Sequence, residues 1–133
     1  MSYKLYMILL GFSLLFACKQ SLRTEEIEGK WLYQKVEFLR QNPIIITEGE
    51  ELKADEPYVV FEKSGKAKIV SSGKILSEGT FVLDGDIIRY EEVLPDGQKR
   101  AIPFLVKELN AQKLVFETMD QDTKRITAKK IKF

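Results

Sequence analysis

Six turn signals constrain this chain more than any other feature. Ser64-Gly65, Ser72-Gly73, Asp84-Gly85, Pro95-Asp96-Gly97, Asn110-Ala111-Gln112 and Asp120-Gln121-Asp122 break its second half into short runs rich in β-branched and aromatic residues. The runs are YVVFE (58–62), KAKIVS (66–71), KILSEGTFVL (74–83), DIIRYEEVL (86–94), RAIPFLVKEL (100–109), KLVFETM (113–119) and KRITAKKIKF (124–133). Such spacing reads as antiparallel strands joined by hairpins. Asp84-Gly85 is the sharpest signal, because a two-residue hairpin needs positive φ angles that Asp and Gly tolerate best. Upstream, KWLYQKVEFL (30–39) and the 43–47 piece bring the count to eight or nine strands. No alternation of strands with helices is visible. The expected fold is therefore all-β, a closed barrel or a sandwich, and closure would remove exposed strand edges.

Finer expectations follow from single residues. TEEIE (24–28) has the makings of one helical turn with Thr24 as N-cap, and Gly29 stops it from extending. EGEELKADEP (48–57) reads as an acidic exposed connection. Gly79 and Pro103 mark a bulge or a bend in long strands. In the last run Ile126 and Ala128 share one face, whereas Ile131 and Phe133 share the other. A strict two-residue period cannot bury both pairs, which predicts a bulge around Lys129-Lys130 or a terminal segment that leaves the sheet.

The first 17 residues belong to a different kind of segment. Lys4 precedes a largely apolar run over 5–17 (LYMILLGFSLLFA), and the only cysteine of the 133 residues follows at once. A spanning helix needs about 20 apolar residues, so the run fits a secretion signal better than a permanent anchor. LLFAC resembles the bacterial lipobox, in which a small residue, here Ala17, precedes a cysteine that is lipidated and becomes the first residue after cleavage. Phe16 is bulkier than the usual residue of that motif. The alternatives are an ordinary signal followed by an incidental cysteine, or an inner-membrane anchor. The expected organisation is a signal peptide over 1–17, a lipidated N-terminus and polar tether over 18–26, and a β-domain over 27–133. Lys19 is not the aspartate of inner-membrane retention, and no acidic export cluster follows. The expected location is the outer membrane, lipid-anchored and facing the periplasm, with surface display as the alternative.

Composition closes several other routes. The formal net charge is +1, and removing the first 17 residues takes only Lys4, which leaves 20 basic and 20 acidic side chains. Nothing in this balance attracts nucleic acid. The chain has no histidine, hence neither the commonest metal ligand nor the side chain that titrates nearest neutrality. One cysteine makes no internal disulfide and no multi-cysteine metal site.

From Gly29-Lys30-Trp31 onward the chain resembles the short lipocalin-like lipoproteins of Bacteroidetes-type bacteria. The likeness rests on GKW, FEKSGKAKI from Phe61, GTFVLDGDII from Gly79 and KELNAQKLVF from Lys107, and it covers most of 25–133. It implies a small antiparallel lipocalin-like β-barrel of about eight strands with an apolar centre. It further implies that Trp31 plugs the closed end, that Gly29 lets the preceding chain pass close, and that Arg125, or less readily Arg100, packs across the indole. The later T-D-Y motif of lipocalins that bind ligands is absent. Phe61, Ile69, Phe81, Leu83, Tyr90, Phe104, Leu114 and Phe116 are the candidate cavity lining, and the same residues serve equally as plain core.

The expected function is a membrane-tethered module that binds or buffers a small hydrophobic ligand, such as a fatty acyl compound. The alternative is a non-catalytic envelope interaction module with a filled barrel and a protein partner. Membrane lipid, through an acylated Cys18, is the other expected partner. No cofactor or metal is expected, and no enzymatic activity. Asp84 and Asp86 bracket a turn glycine, Glu91 and Glu92 point to opposite faces, and Ser71, Ser72 and Thr80 lack a histidine partner.

Overall fold

The computed structural model describes residues 21–132. Nine strands alternate with two short helices: α1 (Thr24–Ile27), β1 (Gly29–Phe38), β2 (Ile45–Glu48), α2 (Glu50–Asp55), β3 (Tyr58–Phe61), β4 (Lys66–Ser71), β5 (Lys74–Asp84), β6 (Ile87–Val93), β7 (Lys99–Leu109), β8 (Lys113–Thr118) and β9 (Lys124–Ile131). All pairings are antiparallel, and β1 bonds to β9 as well as to β3, which closes eight strands into a barrel in the order β1-β3-β4-β5-β6-β7-β8-β9. β2 lies outside this ring. It pairs with the second half of β1, Lys35 to Phe38, after the first half, Gly29 to Leu32, has paired with β3.

Period-two alternation sends Trp31, Phe61, Phe81, Tyr90, Phe104, Phe116 and Ile126 inward, and all of them are buried. Their outward neighbours, such as Val82, Arg89 and Lys129, are exposed. Strand register is thereby locked, because a one-residue slip would turn the aromatic core out to water. Two irregularities relieve the closed ring, one between Tyr33 and Lys35 on β1 and one between Val106 and Glu108 on β7, each leaving an extra residue that bends its strand. A third lies between Ile69 and Val70 on β4, opposite Ser77 and Ile75 on β5. Gly79 sits in none of them. An added Cβ there would stand 1.8 Å from the Glu91 carbonyl oxygen, so glycine lets β5 and β6 approach at that point.

Several expectations change. Residues 22–26, expected as tether, belong to the fold: the Leu22 amide donates to the Gly85 carbonyl at 3.0 Å, and α1 buries Ile27 completely. Thr24 is inside α1, not its N-cap; Arg23 holds that position, and the Glu26 carboxylate accepts from its amide at 3.2 Å. The acidic 48–57 connection contains α2, whose Leu52 is buried against the core. β9 runs without a bulge beside β8 and β1 up to its end. The conflict in its pattern is resolved by putting Lys130 inward over Trp31 and Ile131 on the outer wall.

Candidate functional site

The strand directions give the barrel two unlike ends. At one, α1 and the β3–β4, β5–β6 and β7–β8 turns close over Trp31, which is fully buried and whose indole N–H donates to the Ile27 carbonyl at 2.8 Å. Gly29 precedes it at φ +132, a value that L side chains rarely adopt, and an added Cβ would meet Lys130 Cε at 2.9 Å. Lys130 Nζ lies 5.4 Å from the indole ring. That overturns the expectation for Arg125, which lies on the outer face of β9 and bonds Glu117 at 3.0 Å and Glu37 at 3.7 Å. Arg100 is also remote from Trp31. It pairs with Glu92 at 2.8 Å near the other end.

All eight expected lining residues face the barrel interior, and there they pack on one another. Phe61 meets Phe81 edge-on, with ring centroids 5.2 Å apart. Tyr90 stacks on Phe104 at 5.4 Å, Phe104 tilts against Phe116 at 4.7 Å, and Phe116 meets Tyr33 edge-on at 6.5 Å. These contacts link β6, β7, β8 and β1, so the aromatic chain follows one side of the eight-strand ring, where β6–β7 and β7–β8 are hydrogen-bonded neighbours. Ile69 and Leu83 are partly buried at its margins.

Toward the open end the interior becomes polar. Ser77 donates its hydroxyl to Glu92, so the 2.6 Å contact between Ser77 Oγ and the Tyr90 hydroxyl must have Tyr90 as donor. Glu92 is buried, and Arg100 satisfies its second oxygen. Burial pushes the Tyr90 hydroxyl above the ordinary tyrosine range, against the lowering effect of its bond to Ser77. Tyr33 is pushed further up, first by burial and then by Tyr90. In the sequence Glu92 stands out only as one of two adjacent carboxylates. Its spacing from Ser77 on a neighbouring inward face was the signal that would have joined them.

The space suited to a small molecule lies on the outer wall. Where β1 leaves β3 and turns to β2, α2 folds over the gap and leaves an open cleft of about 430 Å³. Leu32, Tyr58 and Ile131, outward residues of β1, β3 and β9, line it together with Leu52 of α2. Lys30 Nζ stands 3.9 Å from the Tyr58 ring centroid, and Lys53 and Glu56 flank the opening. None of the eight expected lining residues touches this cleft. A larger groove of about 810 Å³ at the closed end is walled by Lys129, Lys130, Lys132, Glu25 and Glu28. Among the described residues no three His, Cys, Asp or Glu side chains are disposed to hold a metal ion. Cys18 lies outside the described residues.

No family model matches the chain. No curated protein matches it either. Among solved structures, a lipocalin-like protein from Bacteroides uniformis superposes with a TM-score of 0.53 at 18% identity, over 81% of this chain and 99% of that one.

Proposed function

We propose that this lipocalin-like barrel is the globular part of an envelope lipoprotein that binds a small amphipathic molecule, with an apolar body and an anionic end, in the cleft beneath α2. The single observation behind this reading is the cleft itself: an apolar floor of Leu32, Tyr58 and Ile131 with the ammonium groups of Lys30 and Lys53 at its margin. Its 430 Å³ falls in the range of small-molecule pockets. Desolvation of ligand carbon at about 25 cal/mol per Å² would drive binding, and the lysines would orient a carboxylate. The lumen is a poorer candidate, because the inward side chains are buried in one packed core cluster.

The tether is part of the same reading. With Cys18 acylated, four residues lead to Leu22, whose amide is fixed to Gly85 at the closed end. An extended chain covers roughly 3.5 Å per residue, so the Trp31 end would stand within about 14 Å of the bilayer and the mouth would face away. Multiple acyl chains supply the two membrane signals that stable attachment takes.

Native mass spectrometry of the protein released gently from its own envelope tests the ligand. A constant added mass beyond the acyl chains, lost in a Leu32→Glu variant, is expected; a consistently empty protein contradicts the reading. Cys18→Ser is expected to abolish acyl labelling. The second expectation, an interaction module with a filled barrel, is favoured by the single buried cluster that the inward side chains form.

A further inference from the structure

β2 is the strand that the barrel does not need, and its chemistry is unusual for an exposed edge. One side pairs with β1; the other has no strand partner among the described residues. Ile44, Ile45 and Ile46 are 51%, 52% and 46% exposed, and from Pro43 to Thr47 the segment carries no charge. Edge strands in water are ordinarily protected by a lysine, an inward charge, a bulge or a covering loop, since their free N–H and C=O groups invite another strand.

The free groups can be identified. The Leu39 amide bonds to Thr123 on the β9 side, which fixes the alternation along β1. Val36 and Phe38 therefore aim their backbone groups at β2, where Thr47 and Ile45 are their partners. Ile46 and Glu48 aim theirs the other way, at the open edge. Charge around that edge is one-sided. Glu48, Glu50 and Glu51 are exposed at its C-terminal end against two lysines, Lys53, 3.7 Å from Glu50, and Lys35, which stands opposite Glu48 on β1 and also pairs with Glu37 at 3.9 Å, so acid is in excess. The edge also lies at the mouth, away from the end that the N-terminal segment enters.

We propose that β2 is a docking edge for an extended segment of another protein, which adds antiparallel to it as a further strand. The segment has apolar or β-branched residues to cover Ile44 and Ile46, and basic residues at its N-terminal end, where antiparallel pairing brings it against Glu48, Glu50 and Glu51. Main-chain bonds to Ile46 and Glu48 supply affinity, and the charges set direction. A second copy of this chain fits less well: two-fold antiparallel pairing of β2 would turn one barrel upside down relative to the other and send the two N-terminal segments to opposite sides. The inference does not depend on whether the cleft under α2 takes a small molecule.

The test uses the full chain in dodecylmaltoside micelles and the blocked peptide KKVTVTV, with EEVTVTV as control. KKVTVTV is expected to bind saturably and to slow hydrogen exchange at the Ile46 and Glu48 amides, leaving the already bonded Ile45 and Thr47 amides unchanged. EEVTVTV is expected to bind at least tenfold more weakly. Ile46→Pro removes the N–H that faces the open edge together with the side chain to be covered, without touching a bond to β1, and is expected to abolish binding; Ile46→Lys, which keeps the donor, guards against a folding defect and is expected to weaken it at least fivefold through charge repulsion. Equal binding of both peptides overturns the proposal, as does binding without protection at Ile46 and Glu48. Protection of those amides in the absence of peptide, with a doubled protein mass, overturns it in favour of self-association.

Discussion

The ammonium of Lys130 lies 5.4 Å from the Trp31 ring, and both side chains come from strands that are hydrogen-bonded neighbours, Trp31 opposite Lys130. The closed end is thus sealed by a cross-strand pair over the indole, with Ile27 accepting the indole N–H. Trp31→Phe would remove buried volume and leave that carbonyl unpaired, at an expected cost of about 3 kcal/mol in urea unfolding. Arg125→Ala acts on a partly exposed ion-pair network and is expected to cost about 1 kcal/mol. A cost for Trp31→Phe no larger than that for Arg125→Ala would contradict the sealing role given to the Trp31 end.

Ser77 stands between Tyr90 and Glu92, donating to the carboxylate and accepting from the phenol. Ser77→Ala would strand both groups in a largely buried place, with an expected loss of about 2 kcal/mol. Adding Glu92→Gln to that variant should cost less than the sum of the two changes, because the members share bonds. A double-mutant cycle in urea measures the coupling.

Tyr33 and Tyr90 make stability depend on alkaline pH. Both phenols are raised from the ordinary 10.0, chiefly by burial, so each ionises less readily folded than unfolded. Their contribution is complete below about pH 10 and is lost as pH climbs through the folded values. The urea midpoint should therefore be level between pH 7 and 9 and fall above 10, and the fall should be shallower in Tyr33→Phe than in the parent.

Two glycines separate steric need from backbone need. Gly79→Ala would drive a Cβ to 1.8 Å from the Glu91 carbonyl oxygen and is expected to cost about 3 kcal/mol or to prevent folding. Gly85→Ala meets nothing within 4 Å and faces only its φ of +61, for an expected cost of about 1 kcal/mol. Thermal unfolding of the two variants distinguishes these cases.

The barrel was legible because turn residues and period-two burial write themselves locally. The run from Lys66 to Ser71 coincides with β4, and the other β-runs from Tyr58 onward agree with the structure to within two residues at each end. α2 is hidden in the sequence because Leu52 is the one large apolar residue of an acidic stretch long enough for less than two turns. The resemblance asks for an arginine over Trp31, whereas the structure puts Lys130 there. Strand parity alone puts Arg125 outside once Ile126 is inside, and puts Lys130 inside. The cleft was illegible for a different reason: it exists because β1 changes partners from β3 to β2, a long-range event that no local pattern encodes. The eight expected lining residues lie inward, and that they join one buried core cluster is visible only in the three-dimensional packing.

The location of the binding space is the account's central claim, and amide chemical-shift mapping with cis-parinaric acid as the probe tests it most directly. The predicted result is saturable binding with the largest shifts at Leu32, Gln34, Tyr58 and Ile131, weakened at least tenfold by Leu32→Glu. Shifts centred on Tyr90, Phe104 and Phe116, or no saturable binding, would contradict it.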